Sequence, residues 1–480
     1  MKHTLVWFRN DLRTHDHLAL SEAMKHSDRV IACYILDKAI YDKKQYGFNK
    51  IGPFRLKFLL DGLEDLKRSL AAINVPLFVF FDTPVKALKR LNNMVEIDTI
   101  YYHQLVGHEE ETTEASIQNT FEQIKFKSFF NKTLIHPEDL PFDLKDLPEL
   151  FTTFRQNVEK DLEIKPLIDC PNPQTPLDIE PVVDFDCLQD FGYNDCIKPR
   201  FKGGEREGLK RLNYYFFESK AVSNYKETRN YMLFDDDSSK FSPYLSQGAL
   251  SPRQIYYALI DYESTVEKNE STYWLFFELL WRDFFTFTHM KHKNKLFDVK
   301  GIKNIQCSWK ENQGFIDKFI QGKTGYPLVD ANMKELQQTG YMSNRGRQNV
   351  ASFFTKNLGL NWLIGAAFFE MMLIDYDVSS NYANWAYIAG VGNDNLPFRF
   401  FNVEKQGELY DKEATYAKKY LPNLKNLPNH LVYKIHRLNQ LDLVPYNIIL
   451  GKDYPKRMVD FEHSINDRKA EILKANPLKK

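Results

Sequence analysis

The chain predicts an α/β domain built on a parallel doubly wound sheet, joined by a long linker to an all-helical domain. Short apolar, strand-like runs alternate with amphipathic helical stretches up to residue 130. A proline-rich, weakly periodic stretch then runs to about residue 200. Beyond Gly203 and Gly204 the apolar spacing is helical almost to the end, with strand signals nearly absent. The expected division is 1–130, α/β; 131–200, interdomain linker; 201–480, helical.

TLVWF at 4–8 and RVIACYIL at 29–36 read as short buried strands, because each is a continuous apolar run of strand length. LALSEAMKHS between them has helical spacing. An amphipathic helix at about 53–73 leads to the strand PLFVFF at 76–81, a helix near 84–93 and the strand DTIYYH at 98–103. Strands that alternate with helices pair in parallel. No GxGxxG follows the first strand, so the usual dinucleotide fingerprint is missing. HPEDLPFDLKDLPELF and DCPNPQTPLDIEP mark the linker, and loops of that length are rarely neutral. EREGLKRLNYYFFES, SPRQIYYALIDYES and STYWLFFELLWRDFFTFTHM are typical of the helical part.

At 480 residues the chain suggests two or three domains. Lys+Arg and Asp+Glu both number 64, so nucleic-acid binding would need a local basic patch rather than a global field. The best candidate patch is 198–229, where Lys198, Arg200, Lys202, Arg206, Lys210, Arg211, Lys220, Lys226 and Arg229 outnumber the acids; Arg345, Lys405 and the basic tail could extend it. A solvated charged face is the plainer reading. Cys33, Cys170, Cys187, Cys196 and Cys307 are odd in number and form no CxxC, which fits a reducing cytoplasm and argues against zinc or a disulfide framework. The N-terminus enters a strand without a signal peptide, and no long uncharged apolar window predicts a membrane span.

The chemistry concentrates at 341–394. The helical apolar run VASFFTKNLGLNWLIGAAFFEMMLI is flanked by Arg345 and Arg347 upstream and by Asp375, Asp377 and Asn381 downstream, with Trp362 and Trp385 bracketing the acids. Charges among so many apolar residues must pair with each other or with a polar ligand. A flat, polar-edged cofactor such as a flavin needs this mixture. Two earlier segments matter. Ser238, Ser239, Lys240 and Ser242 form a small-hydroxyl loop that suits phosphate oxygens, although on its own a capped helix start is the commoner reading. In WLFFELLWRDFF at 274–285, Glu278 and Arg282 share one helix face, as do Trp281 and Phe285; a surface ion pair beside a core aromatic is the bland alternative.

In this order the segments resemble the photolyase/cryptochrome family over essentially the whole chain. The resemblance opens with VWFRNDLRTHDHLAL at 6–20, where His17 stands in place of the usual Asn. It continues through DDDSSKFSPYLSQGALSPRQ, WLFFELLWRDFF, GKTGYPLVDANMKEL and NRGRQNVASF to GNDNLPFRFFN. LPFDLKDLPELFTTFRQNVE, FKGGEREGLKRL, NRGRQNVASFFTKNLGLNW and DYDVSSNYANWAYIAGVGND are similar to the DASH cryptochromes within it. Tyr387 and Gln348 stand where ordinary bacterial dimer photolyases carry Trp and Met.

The resemblance implies FAD. Tyr225, Ser238, Ser239, Lys240, Phe241 and Ser242 would hold its diphosphate and ribityl side, and Arg282 would also bind the cofactor. Asn344, Arg347, Asp375, Asp377 and Asn381 would ring the isoalloxazine, with Arg347 and Asp375 paired beside it and Asn381 facing N5. Trp385, Trp362 and Trp309 match an electron relay, though buried indoles are often plain core. Trp281 and Tyr387 would sandwich an extruded pyrimidine dimer, which Glu278, Asn344 and Gln348 would contact. The implied activity is light-driven repair of cyclobutane pyrimidine dimers, preferring single-stranded or locally unpaired DNA, by a cytoplasmic monomer without metal. A blue-light photoreceptor that binds FAD and nucleic acid without repair is the alternative. A 5,10-methenyltetrahydrofolate antenna is also implied, with Glu109 in the place of the pterin-binding acid and Gln104 and Glu110 as open neighbours.

Overall fold

The structure is a computed structural model that describes residues 2–184, 197–396 and 398–475; Cys187, Cys196 and residues 476–480 of the basic tail lie outside the described residues. Its first strand, β1 (His3–Phe8), is buried along its whole length, as a strand covered on both faces must be. β2 (Val30–Asp37) follows, then a two-stranded hairpin of β3 (Lys44–Gln45) and β4 (Phe48–Asn49), then β5 (Leu77–Asp82), β6 (Ile97–His103) and β7 (Lys125–Phe129). Five of these form one sheet in the order β5-β2-β1-β6-β7, every neighbour parallel. The chain starts in the middle, winds to one edge, then returns to build the other, which is the doubly wound pattern.

Alternate residues face opposite sides of the pleat. Val6, Phe8, Ala32 and Tyr34 pack against Leu20, Leu56, Leu63 and Leu66 from helices Leu18–His26 and Pro53–Ala71. Leu5, Trp7, Ile31 and Cys33 pack against Leu88, Leu91 and Ile117 from helices Pro84–Met94 and His108–Thr120. Helix His108–Thr120 and β7 were not anticipated. The helix buries only Ile117 and β7 alternates weakly at an edge, so neither shows an apolar face in its sequence.

The proline-rich stretch is ordered where it is described. It carries helix Phe151–Val158, with Phe151, Phe154 and Val158 buried. Further on, Val79 N–H donates to Val182 O at 2.9 Å and Asp184 N–H to Val79 O at 3.0 Å, so this segment covers the β5 edge of the sheet.

The chain divides into two compact units. The first is Met1–Lys226 with Ser239–Asn294 and Ile374–Ser380; the second is Glu227–Ser238 with Lys295–Leu373 and Asn381–Lys480. In the first, buried Asp16 accepts from Arg253 Nη2 at 2.5 Å, and Glu205 accepts the Thr14 and His15 N–H groups at 2.9 and 3.0 Å. Gly248 sits at φ 67° with its would-be Cβ 2.1 Å from Asn10 O, a place open to glycine alone. The long helix Glu270–His292 is capped by Asn269, and its buried Asp283 accepts from Leu134 N–H and Ile135 N–H at 3.0 and 2.9 Å. The second unit is helical, built on Pro327–Thr339, Asn344–Ser352 and Trp362–Met372. No described helix is long and apolar enough to cross a membrane.

Candidate functional site

Of the small-hydroxyl loop, Ser238 follows the short turn Asp235–Asp237 in the second unit, while Ser239, Lys240 and Ser242, the last opening helix Ser242–Ser246, belong to the first. Lys240 takes φ 57° and is buried, as are Tyr225 and Phe241. Ser239 O accepts from Arg211 Nε at 2.9 Å. Ser242 Oγ donates to Asp375 Oδ2 at 2.6 Å, so this loop and the acidic cluster meet through a charge-assisted bond. Asp377 is engaged on both oxygens, by Lys132 Nζ at 2.5 Å and by Ser380 N–H at 2.9 Å. Burial opposes its ionisation, but the charges of Lys132 and Arg282 outweigh that and hold its carboxyl well below the usual range. Arg282 Nη1 in turn donates to Lys132 O at 2.7 Å.

Glu278 and Trp281 both lie half-buried on helix Glu270–His292. One face of Trp281 is stacked on Phe151, with centroids 3.8 Å apart and an interplanar angle of 11°. Phe151 comes from the proline-rich stretch, and no local pattern could have paired the two.

In the second unit helix Asn344–Ser352 is capped by Ser343 Oγ, which accepts Gly346 N–H at 3.1 Å. Asn344 is exposed at its start. Arg345 forks onto Asn230 Oδ1 at 2.8 and 3.2 Å, and Arg347 Nε donates to Met342 O at 2.9 Å. Gln348 Oε1 is buried and accepts no hydrogen bond among the described residues.

Asn381 and Trp385 lie four apart on helix Val378–Ala389 and so share a face. Asn381 Nδ2 donates to Ala366 O at 3.0 Å, which fixes the amide and leaves its oxygen as the acceptor. Trp385 is buried in a notch at Gly365, where a Cβ would come within 2.2 Å of the indole Cη2. Phe354 and Phe369 meet its ring edge-on at 5.8 and 5.1 Å. Trp362, three residues before Gly365 on that helix, is fully buried with Nε1 donating to Val299 O at 3.0 Å. Trp309 is half-buried; next to it, Lys310 N–H donates to Gly359 O at 2.8 Å and Asn361 N–H to Lys310 O at 3.1 Å. That pairing lays the Trp309 segment alongside the residues that immediately precede Trp362. Tyr387 OH accepts from Arg399 Nη2 at 3.4 Å, and Arg399 is held by buried Asp394 at 2.7 and 3.0 Å. Sequence reading missed Arg399, Asp394 and Gly365, although GNDNLPFRFFN and WLIGAAFF contain them.

These side chains fit a flavin on their own chemistry. A fixed amide oxygen on the same helix face as an oxidisable indole seated in a helical notch suits a redox-active ring with polar edges.

The antenna candidate Glu109 accepts from Lys43 Nζ at 2.5 Å and from Lys50 Nζ. Burial would raise its pKa, but the two lysines more than offset this and lower it. Gln104 donates to Ser128 Oγ at 3.0 Å, and burial pushes the Glu110 carboxyl up. At the carboxyl ends of β1 and β6, where strand order reverses and doubly wound folds usually take ligands, a buried trio sits instead. Asp11 Oδ2 accepts from His17 Nε2 at 3.0 Å and from His103 Nδ1 at 2.7 Å. The other ring nitrogens accept Leu20 N–H at 3.0 Å and Ala19 N–H at 3.3 Å, so every imidazole lone pair is used within the protein. In the basic stretch, Arg206 pairs with Asp65 at 2.6 Å and Lys226 with Glu270 at 2.5 Å, which diverts part of that charge.

The profile of the FAD binding domain of DNA photolyase matches residues 274–474, and that of DNA photolyase matches 4–175. The cryptochrome DASH of Gloeobacter violaceus is 45% identical over 470 residues, 96% of this chain and 94% of that protein. The crystal structure of a Synechocystis cryptochrome superposes with a TM-score of 0.94 at 43% identity, covering 98% of this chain and 99% of that one. An archaeal photolyase from Sulfolobus tokodaii, solved with two FAD molecules, gives a TM-score of 0.81 at 28% identity, over 98% of this chain and 100% of that one.

Proposed function

The chain belongs to the photolyase/cryptochrome family, among the DASH cryptochromes, and from that premise we propose that it repairs cyclobutane pyrimidine dimers under light, preferring single-stranded DNA. Reduced FAD, when bound, supplies the electron that splits the cyclobutane ring and receives it back, so the cycle has no net redox change. The chain's own residues bind, orient and insulate. Tyr225, Ser238, Ser239, Lys240, Phe241 and Ser242 hold the diphosphate and ribityl side, with Arg282 beside them. Asn344, Arg347, Asp375 and Asp377 surround the ring and place charge at its edge. The Asn381 oxygen accepts a hydrogen bond at N5.

Trp281, backed by Phe151, and Tyr387, backed by Arg399, offer ring faces to an extruded dimer. Glu278, Asn344 and Gln348 reach its base edges. Taking a base out of a duplex costs about a few kcal/mol, and much less in a single strand, so one pocket yields a strand preference without different chemistry. Trp385, Trp362 and Trp309 carry electrons inward to oxidised flavin. The observation that supports this reading best is the shared helix face of Asn381 and Trp385, one locked by Ala366 and the other seated at Gly365. Glu109 holds a folate antenna by exchanging its lysine partners for pterin N–H groups. We take the working form to be a cytoplasmic monomer, with damaged single-stranded or unpaired DNA as its partner.

The test is direct. The purified protein's pigments are identified, and irradiated oligonucleotides of one sequence, single- and double-stranded, are assayed for light-dependent dimer loss under reducing conditions. FAD bound without any loss of dimers from the single strand would sink the repair reading and favour a photoreceptor.

A further inference from the structure

Helix Phe461–Ala475 brings one cation onto an indole that the relay reading makes its outer end. The Arg468 guanidinium lies 4.6 Å from the Trp309 ring centroid. Its side chain is almost wholly buried, and Nη1 donates to Ser308 O at 2.6 Å and to Glu471 Oε2 at 2.7 Å. Glu471 also accepts from Ser308 Oγ, which closes a ring of bonds that keeps the guanidinium over the indole. Among the described residues Arg468 Nε and Nη2 are buried without an acceptor, and Glu471, itself partly exposed, is its carboxylate partner. Buried Lys356 lies in the same field; burial, then the Arg468 charge, pushes its amine down to about 7.

We propose that Arg468 tunes Trp309 electrostatically, making its oxidised ring give up the indole proton quickly and so trapping the transferred electron on the flavin. This rests on the relay reading of Trp309. In the resting protein the guanidinium is attracted to the negative face of the indole. When Trp309 gives one electron to the hole on the next indole inward, its ring becomes a radical cation beside a fixed positive charge. That charge disfavours the radical cation and favours the neutral radical. The Nε1–H bond breaks, the proton passes to water, which reaches this half-buried residue, and the electron ends on photoexcited oxidised flavin. Arg468 therefore makes the last hop harder, but once the proton has left it makes reversal harder still, because electron return then needs reprotonation beside a fixed positive charge.

The experiment follows Trp309 by transient absorption in flavin-loaded protein and, separately, by pulse radiolysis of flavin-free protein with azide radical as oxidant. In the second arm the Trp309 signal is the difference between the parent chain and Trp309→Phe. Arg468→Gln should slow conversion of radical cation to neutral radical about tenfold, from the loss of a unit charge at this distance in a screened interior. Arg468→Lys should largely restore it, and Glu471→Gln, which leaves the guanidinium uncompensated, should speed it several-fold. Unchanged conversion in Arg468→Gln, or in Glu471→Gln if the former does not fold, overturns the proposal. If Trp309→Phe photoreduces at the parental rate the relay reading fails, and the azide arm still decides whether Arg468 governs Trp309.

Discussion

Single side chains show how far residue identity carries and where it stops. Asn381, Trp385 and Asp375 were legible as candidates because polar or oxidisable groups stood where an apolar helix would otherwise run, and Ser242 because it closes a small-hydroxyl loop. Their partners were not legible. The Ala366 carbonyl that orients Asn381 and the Phe151 ring behind Trp281 meet them only through tertiary packing, which no local pattern pairs. Trp385 gives the sharpest residue-level expectation. Trp385→Phe should abolish photoreduction of oxidised FAD yet spare dimer repair once the flavin is chemically reduced, because repair returns its own electron. Phe keeps ring packing against Phe354 and Phe369, so the fold should hold. Steady-state absorbance under blue light reads the first effect and dimer loss the second; photoreduction at the parental rate would remove Trp385 from the relay.

At the scale of elements, continuous apolar runs between turn residues were enough to place β1, β2, β5 and β6 and the helices between them. What was lost had no periodic signature. Helix His108–Thr120 buries a single residue, and the π-helical turns Tyr214–Glu218 and Phe353–Asn357 insert one extra residue per turn without changing composition. Helix Trp362–Met372 offers a sign test. Gly→Ala inside a helix ordinarily stabilises by about 1 kcal/mol. At Gly365 the added Cβ would collide with Trp385, and overpacking of this kind costs about 1–3 kcal/mol. Gly365→Ala should therefore lower the denaturant midpoint and slow photoreduction by displacing the indole. A raised midpoint would mean that the notch is not what seats Trp385.

For the molecule as a whole, the fold class followed from the order of strand and helix signals. The division into units did not, because Ile374–Ser380 belongs with the first unit although its neighbours in sequence belong with the second. Only long-range packing decides such an assignment. The function proposed at this scale makes an energetic prediction. If the strand preference reflects only base extrusion, placing the dimer in an unpaired bubble of a duplex should recover most of the single-strand rate, since the missing term is about a few kcal/mol. Raised salt should weaken every substrate together, because phosphate contacts are common to all. Repair rates on single strand, bubble and intact duplex at two salt concentrations test both. Equal rates on intact duplex and single strand would refute the preference.

The trio of Asp11, His17 and His103 has a consequence for proton uptake. Burial, and then the neighbouring His17, push the His103 imidazole from 6.5 down to about 4. Between those values the unfolded chain holds a proton that the folded chain refuses, so stability rises with pH across that window and is lost as pH falls through it. A proton forced onto Nε2 would also strip Ala19 N–H of its acceptor at the start of helix Leu18–His26. Acidification should thus loosen the first crossover of the sheet while the helical unit still stands. Hydrogen exchange at Ala19 and Leu20 should accelerate between about pH 6 and pH 4 beyond the intrinsic pH trend; protection that stays flat across that interval would show that the trio tolerates its proton.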